Sequence, residues 1–420
     1  MSRRMNADPA GSDARARAAI DSSDFRKYQL SRFLLTLGIQ VQSVAVGWYI
    51  YSLTQRALDL GYEGLAQFLP AILLALVTGY TADRFDRRRI LQVCYALLTL
   101  CALLFFLLAW WRDTRLWMLY SVLVLLGVAR AFAGPASQSL VAHLVPPEQL
   151  ATALARNSSV FQVATIIGPS VGGLLYGALH ATGAFAACAV MLGLSFLLLS
   201  TMRVRTGRMA SALGSWRQLV AGIYYVWRRK VVLGAISLDL FAVLLGGAVA
   251  LLPIFAQELL STGPWGLGLL RSAPAVGAAG MALLLSFRPL RRHAGLTMFV
   301  CVALFGLATI GFGLSRQLGV SLLCLVVLGA SDMVSVVIRG ALVQLATPPE
   351  MRGRVSAVNM VFVGASNELG EFESGLTAEW LGAERAVVLG GVGTLLVVAI
   401  WAAAFPSLRR VDRLEEVHTG

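Results

Sequence analysis

The residues of this chain that could do chemistry are charges set inside long apolar runs. Arg130 stands in Gly127-Val-Ala-Arg130-Ala-Phe-Ala-Gly134-Pro135, Asp239 and Arg271 each interrupt a later run, and Asp332 and Arg339 share another. Three carboxylates crowd into Asn367-Glu368-Leu-Gly370-Glu371-Phe-Glu373. One arginine at the centre of an apolar helix in lipid costs roughly 2.5–3.5 kcal/mol on insertion scales, so such charges must face a cavity or each other. Glu368 and Glu371 are three residues apart and share a helix face, whereas Glu373 lies well round the helix from both. Asp332 and Arg339, seven residues apart, lie on one face about two turns apart. A buried carboxylate exposed in turn to either side of a membrane is what proton exchange requires. The first ion pair expected is Arg271 with Glu371 or with Glu368.

Other chemistries lack their residues. Neither of the two lysines, Lys27 and Lys230, follows a glycine, so there is no GxxxxGK[ST] phosphate cradle and an ATP-driven pump is not expected. The histidines (His143, His180, His293, His418) are scattered, without HExxH or paired ligand spacing. Cys94, Cys101, Cys188, Cys301 and Cys324 sit in apolar runs with no CxxC and read as packing residues. No metal, cofactor or enzyme activity is expected: no apolar span pairs His with Ser, Cys or Asp on one helix face.

The elements that must position these charges are membrane helices. The chain has 420 residues, of which 57% are hydrophobic, or about 240. At about 20 apolar residues per span, that supplies roughly twelve spans. A charged content of 14% and a mean hydropathy of +0.73 exclude a soluble, disordered or disulfide-rich chain. Charged and Gly/Pro-rich turns cut twelve segments at about 31–54, 61–82, 90–111, 116–140, 152–179, 183–202, 231–257, 265–287, 294–314, 318–344, 355–377 and 385–405. They divide the chain into a tail (1–30), a six-span half (31–202), a linker (203–230), a second six-span half (231–405) and a tail (406–420).

Arginine and lysine set the orientation. With the N-terminus inside, 27 fall in inner segments and five in outer loops; Arg130, Arg271 and Arg339 lie within spans. That bias places both termini in the cytoplasm, with an uncleaved N-terminus. The net charge of +13 thus belongs to the membrane's inner face, and no nucleic-acid partner is expected. In the linker, Trp216, Leu219, Val220, Ile223, Tyr224 and Trp227 recur with helical spacing beside Arg217, Arg228, Arg229 and Lys230. This predicts an amphipathic helix, lying on the inner leaflet or packed on the protein's own cytoplasmic face.

The halves repeat at an offset of 202 residues. Pro146-Pro147-Glu148 matches Pro348-Pro349-Glu350, Asn157 matches Asn359, Gly168 matches Gly370 and Gly173 matches Gly375. Arginine clusters follow spans 2 and 8 in parallel, at Arg84 to Arg89 and Arg288 to Arg292. Two six-span halves in parallel repeat are a transporter architecture with the substrate path between them. At that offset Asp332 aligns with Arg130, so the two could face each other across a central cavity, with Asp239 as a third cavity candidate.

The loop after span 2 reads Gly79-Tyr-Thr-Ala-Asp83-Arg84-Phe-Asp86-Arg87-Arg88-Arg89. It resembles the major facilitator superfamily signature G-x-x-x-D-R-x-G-R-R/K, with Asp86 where the family usually has glycine. The resemblance implies a conformational latch of Asp83, Arg84, Arg87 and Arg88, reaching a helix end across the interface of the halves, with Gly79 allowing close helix approach. Arg130 and Gly134 match the family's span-4 R-x-x-x-G, which is linked there to proton coupling. Gly168-Pro169-Ser-Val-Gly172-Gly173 resembles the G-P-x-x-G-G signature of its exporter branches. Asp239 to Gly247, Leu251-Leu252-Pro253, Gly263-Pro264-Trp265-Gly266 and the Glu368–Glu371 run resemble the bacterial branch that includes the enterobactin (siderophore) exporter.

The expectation is an all-α integral membrane protein with twelve transmembrane helices in two pseudo-symmetric halves. It would sit in the bacterial inner membrane as a monomer and export a siderophore-like or drug-like small molecule in exchange for protons, by alternating access. An importer or uniporter of the same fold, or a non-transporting receptor or scaffold, is the alternative. Arg130, Asp239, Arg271, Asp332, Arg339, Glu368 and Glu371 are the candidates for substrate and coupling. Gly79, Asp83, Arg84, Arg87, Arg88, Gly168, Pro169, Gly172 and Gly173 are the candidates for gating.

Overall fold

The computed structural model describes residues 23–74, 77–78, 81, 85–111, 114–202, 216–288 and 292–412, and every secondary-structure element among them is helical. Gly79, Asp83 and Arg84 of the expected latch lie outside the described residues. In the first half, span 1 is Ser23–Thr54, span 2 Ala57–Leu73, span 3 Arg87–Trp111 and span 4 Leu116–Leu144. The helix Leu150–Ser200 is broken at His180, whose φ of 56° and ψ of −172° end span 5 and start span 6. In the second half, span 8 is Gly263–Phe287, span 9 Ala294–Leu314, span 10 Leu318–Leu345, span 11 Pro349–Leu381 and span 12 Ala383–Ala404. Span 7 departs from the continuous helix expected over 231–257: Lys230–Leu245 stops at Gly246 and Gly247, then 3-10, α and π turns carry the chain to Leu259. That break lets Gly247 lie against the backbone of Gly370 on span 11.

Nine of the described helices are long and apolar enough to cross a membrane, and the one broken at His180 counts as two spans. The remaining two are spans 2 and 11. The described part of span 2 is short, at 17 residues, and carries Asp59 and Glu63, while span 11 is rich in charge, with Glu368, Glu371 and Glu373 among others. These two helices pack against each other, so Glu63, Glu368 and Glu371 meet at the interface of the halves.

Each half has its own apolar core. One is built from residues between Phe25 and Met202, and others from residues between Val226 and Leu408. A further core joins the halves, with Val44, Tyr51, Ala57 and Leu60 packed among residues from Ala248 to Val387. It lies at the ends of spans 1 and 2, the side away from the termini. Leu174, Leu197 and Leu323 turn outward at 56–64% exposure, as lipid-facing side chains do.

Two helix crossings close that far side. A Cβ on Gly173 of span 5 would lie 2.9 Å from Cα of Gly268 on span 8. Likewise, a Cβ on Gly375 of span 11 would lie 3.0 Å from Cα of Gly61 on span 2. Only glycine permits backbones this close. Hydrogen bonds between the halves gather at the same end: Tyr51 donates to Glu258, Arg56 Nε to Glu379 (3.3 Å), and the Leu58 amide to Glu379 (3.3 Å). Gln257 donates to Gln55 at 3.4 Å, and these two are themselves repeat equivalents, 202 residues apart.

The linker helix, Trp216–Arg228, packs through Gly222 on the backbone of Arg354 and donates from the Tyr225 hydroxyl to the Ala346 carbonyl at 2.8 Å. Ile223, Tyr224 and Trp227 point away from the protein, at 44–72% exposure. The helix therefore both docks on spans 10 and 11 and presents an apolar edge, combining the two arrangements that its periodicity allowed.

Candidate functional site

The site forms where span 11 crosses span 2. Both Glu368 and Glu371 reach Gly64 on span 2: a Cβ there would lie 3.3 Å from Oε2 of Glu368 and 2.7 Å from Oε2 of Glu371. The residue directly before Gly64 on span 2 is Glu63, 6% exposed. Glu63 and Arg271 of span 8 approach one point on span 1, because a Cβ on Gly47 would lie 3.4 Å from Glu63 Oε2 and 3.5 Å from Arg271 Nη2.

These groups surround a cavity of about 230 Å³. Gln40 and Ser43 line it from span 1, Leu60, Glu63 and Gln67 from span 2, and Arg130 and Pro169 from spans 4 and 5. The second half supplies Val249, Ala250, Arg271, Glu368 and Glu371. Three carboxylates and two guanidinium groups, drawn from both halves, therefore share one space. Arg130 Nη1 donates to Gln67 Oε1 at 2.9 Å, and Arg271 donates to the Ser43 hydroxyl of the other half. A recess beside the cavity adds Gln42, whose amide nitrogen and oxygen are both buried without a protein partner, as is Nε of Arg271. Buried polar atoms of this kind are those a polar substrate would satisfy.

Several expected pairings are not made. Among the described residues, no ion pair within 4.0 Å joins Arg271 to Glu371 or Glu368; the Ser43 hydroxyl takes up Arg271 instead. Asp332 does not face Arg130 and does not line the cavity. Asp239 and Arg339 also leave the cavity candidates: they form a buried ion pair with each other, between spans 7 and 10 of the second half. The physical reason is that Arg339 lies two turns further along span 10 than Asp332, level with Asp239 on the neighbouring helix.

The gating candidates divide similarly. Gly172 and Gly173 make close crossings, Gly172 with Val41 of span 1 and Gly173 with span 8, while Gly168 packs on Gln40 and Pro169 lines the cavity. Ser170 in that motif hydrogen-bonds Ser272 across the halves at 2.9 Å. Arg87 is buried, and Arg88 donates to the Ser200 carbonyl at 2.8 Å. Ser200 ends span 6 of the same half, so among the described residues Arg88 bonds within its own half and not across the interface as the latch implied. Glu63 and Gln67 are the functional candidates that sequence reasoning missed, although a carboxylate inside the span 2 segment was signal enough.

Comparison with known proteins places this geometry. The sequence profile of the Major Facilitator Superfamily matches residues 30–371. A macrolide efflux protein A of Streptococcus pyogenes is 23% identical over 388 residues, covering 89% of this chain and 93% of that protein. The multidrug efflux pump Tap of Mycobacterium tuberculosis is 26% identical over 390 residues, covering 89% and 91%. A staphyloferrin A transporter of Staphylococcus aureus is 21% identical over 398 residues, covering 93% and 98%. Among solved structures, a mutant of the nucleoside transporter NupG superposes with a TM-score of 0.73 at 11% identity, covering 91% of this chain and all of that one.

Proposed function

The chain belongs to the Major Facilitator Superfamily, and from that premise we propose that it exports a small molecule in exchange for protons by alternating access. It is a multi-pass membrane transporter and not an enzyme. The observation that carries the finer proposal is the meeting of Glu63, Glu368 and Glu371 with Arg130 and Arg271 in one cavity between the halves. Carboxylates held this close repel when ionised, so protonation of one and movement of the halves are bound to influence each other. A substrate that enters from one side displaces the protons, and closure behind it presents the same carboxylates to the other side.

The termini bear on which end is closed. With both in the cytoplasm, as the arginine bias argues, the glycine crossings close the external end. The efflux relatives support export, and the macrolide, multidrug and staphyloferrin names among them support a drug-like or siderophore-like cargo. The cavity's three acids and two arginines do not suit a strongly acidic siderophore, which favours the drug-like class. The protein would work as a monomer in the bacterial inner membrane, since one chain supplies both halves of the cavity.

The test uses purified protein in proteoliposomes with a pH dye inside and an imposed pH gradient. Adding siderophores and lipophilic drugs in turn should identify a compound that dissipates the gradient only when the protein is present. Tight binding of one compound with no proton movement for any would instead indicate a uniporter, another coupling ion or a receptor.

A further inference from the structure

On the terminus-bearing side, away from the carboxylate cavity, spans 1 and 5 part to leave a groove of about 1060 Å³. Arg26 and Lys27 line it from the first turns of span 1 and Arg156 from the second turn of span 5, and among the described residues its lining holds no carboxylate. None of these three cations takes part in an ion pair within 4.0 Å among the described residues. Gln29 also lines the groove, and its amide nitrogen and oxygen have no protein hydrogen-bond partner. Such a group calls for a polar ligand. Leu30, 50% exposed, and Leu198 of span 6 continue the wall as apolar surface.

We propose that this groove binds the phosphate of an anionic phospholipid, held by Arg26, Lys27 and Arg156, with the Gln29 amide donating to it. Guanidinium groups present paired donors to phosphate oxygens, and clustered cations beside a membrane select anionic headgroups. The apolar wall is what separates this occupant from a soluble anion: Leu30 and Leu198 give an acyl chain a surface to follow, which free phosphate would leave bare. The site is independent of the transported substrate and of the coupling ion.

The test titrates the purified protein in detergent with phosphatidylglycerol, phosphatidylethanolamine and glycerol phosphate, reading bound lipid by mass spectrometry of the intact complex and stability by thermal unfolding. Phosphatidylglycerol should bind in preference to phosphatidylethanolamine, and Arg26→Gln with Arg156→Gln should weaken it roughly tenfold. The control double variant Arg409→Gln with Arg410→Gln removes two cations near the other terminus and should leave binding unchanged. Gln29→Glu keeps all three cations yet sets a carboxylate beside the phosphate, and should also weaken binding. Equal losses in the two double variants would overturn the site in favour of general surface attraction. Competition by glycerol phosphate at concentrations like those of the lipid would overturn the lipid assignment, and no preference between the two lipids would overturn both.

Discussion

Asp239 and Arg339 show how a charge inside a span can be structural. Both are buried, at 6% and 4% exposure, and each is the other's ion-pair partner. Removing one member of such a pair strands the other, which costs about 3–5 kcal/mol, whereas replacing both by apolar residues is close to neutral. Asp239→Asn should therefore lower the thermal unfolding midpoint markedly, and Asp239→Leu with Arg339→Leu should recover most of the loss. Glu63 should behave in the opposite way. Among the described residues it makes no ion pair within 4.0 Å, so Glu63→Gln should leave unfolding nearly unchanged while abolishing substrate-dependent proton movement in proteoliposomes. The difference between these residues was only partly legible in the sequence. Three carboxylates in span 11 announce themselves because lipid will not hold them, and Arg130 and Arg271 do the same. Partners are less visible: Arg130 is met by Gln67, a neutral amide that leaves no charge signal, and the pairing of Asp239 with Arg339 rests on how two helices 100 residues apart pack.

At the scale of helices, the proposed gate rests on backbone approaches. The Gly-Pro motif of span 5 is legible as a place of close packing, and it does pack closely, on Val41 of span 1 and Gly268 of span 8. Its counterpart at Gly370 to Gly375 is legible from the 202-residue repeat, while Gly61, which it meets on span 2, carries no motif. A side chain at either crossing forces the backbones apart, and overpacking of this kind costs about 1–3 kcal/mol. Gly61→Val and Gly173→Val should each open the far side. An Ala250→Cys reporter, 5% exposed and lining the cavity, should then react with a membrane-impermeant thiol reagent from that side. Unchanged protection of the cysteine in both variants would mean that these crossings do not hold the gate.

Across the whole molecule, closure at the far side is shared between an apolar core and a few polar contacts that the repeat sets face to face. Arg56 with Glu379 is the outermost, at 55% and 28% side-chain exposure, and exposed pairs contribute about 0–1 kcal/mol. Glu379→Gln also weakens the contact with the Leu58 amide, so it should shift the balance of states toward opening by about fivefold or less. Spin labels at Thr54 and Leu381 would report this as a longer-distance population that grows without replacing the closed one. Such a balance is what transport needs, because a closed end that never yields would trap the substrate on one side.

In the proposed mechanism the carboxylates shared by spans 2 and 11 couple proton movement to the motion of the halves. Glu371→Gln in proteoliposomes, with an identified substrate, tests it most directly by separating exchange from accumulation. The variant should still exchange labelled for unlabelled substrate across the membrane but no longer accumulate it against its gradient when a pH gradient is imposed. Accumulation at the wild-type level in that variant would contradict the assignment of Glu371 to coupling.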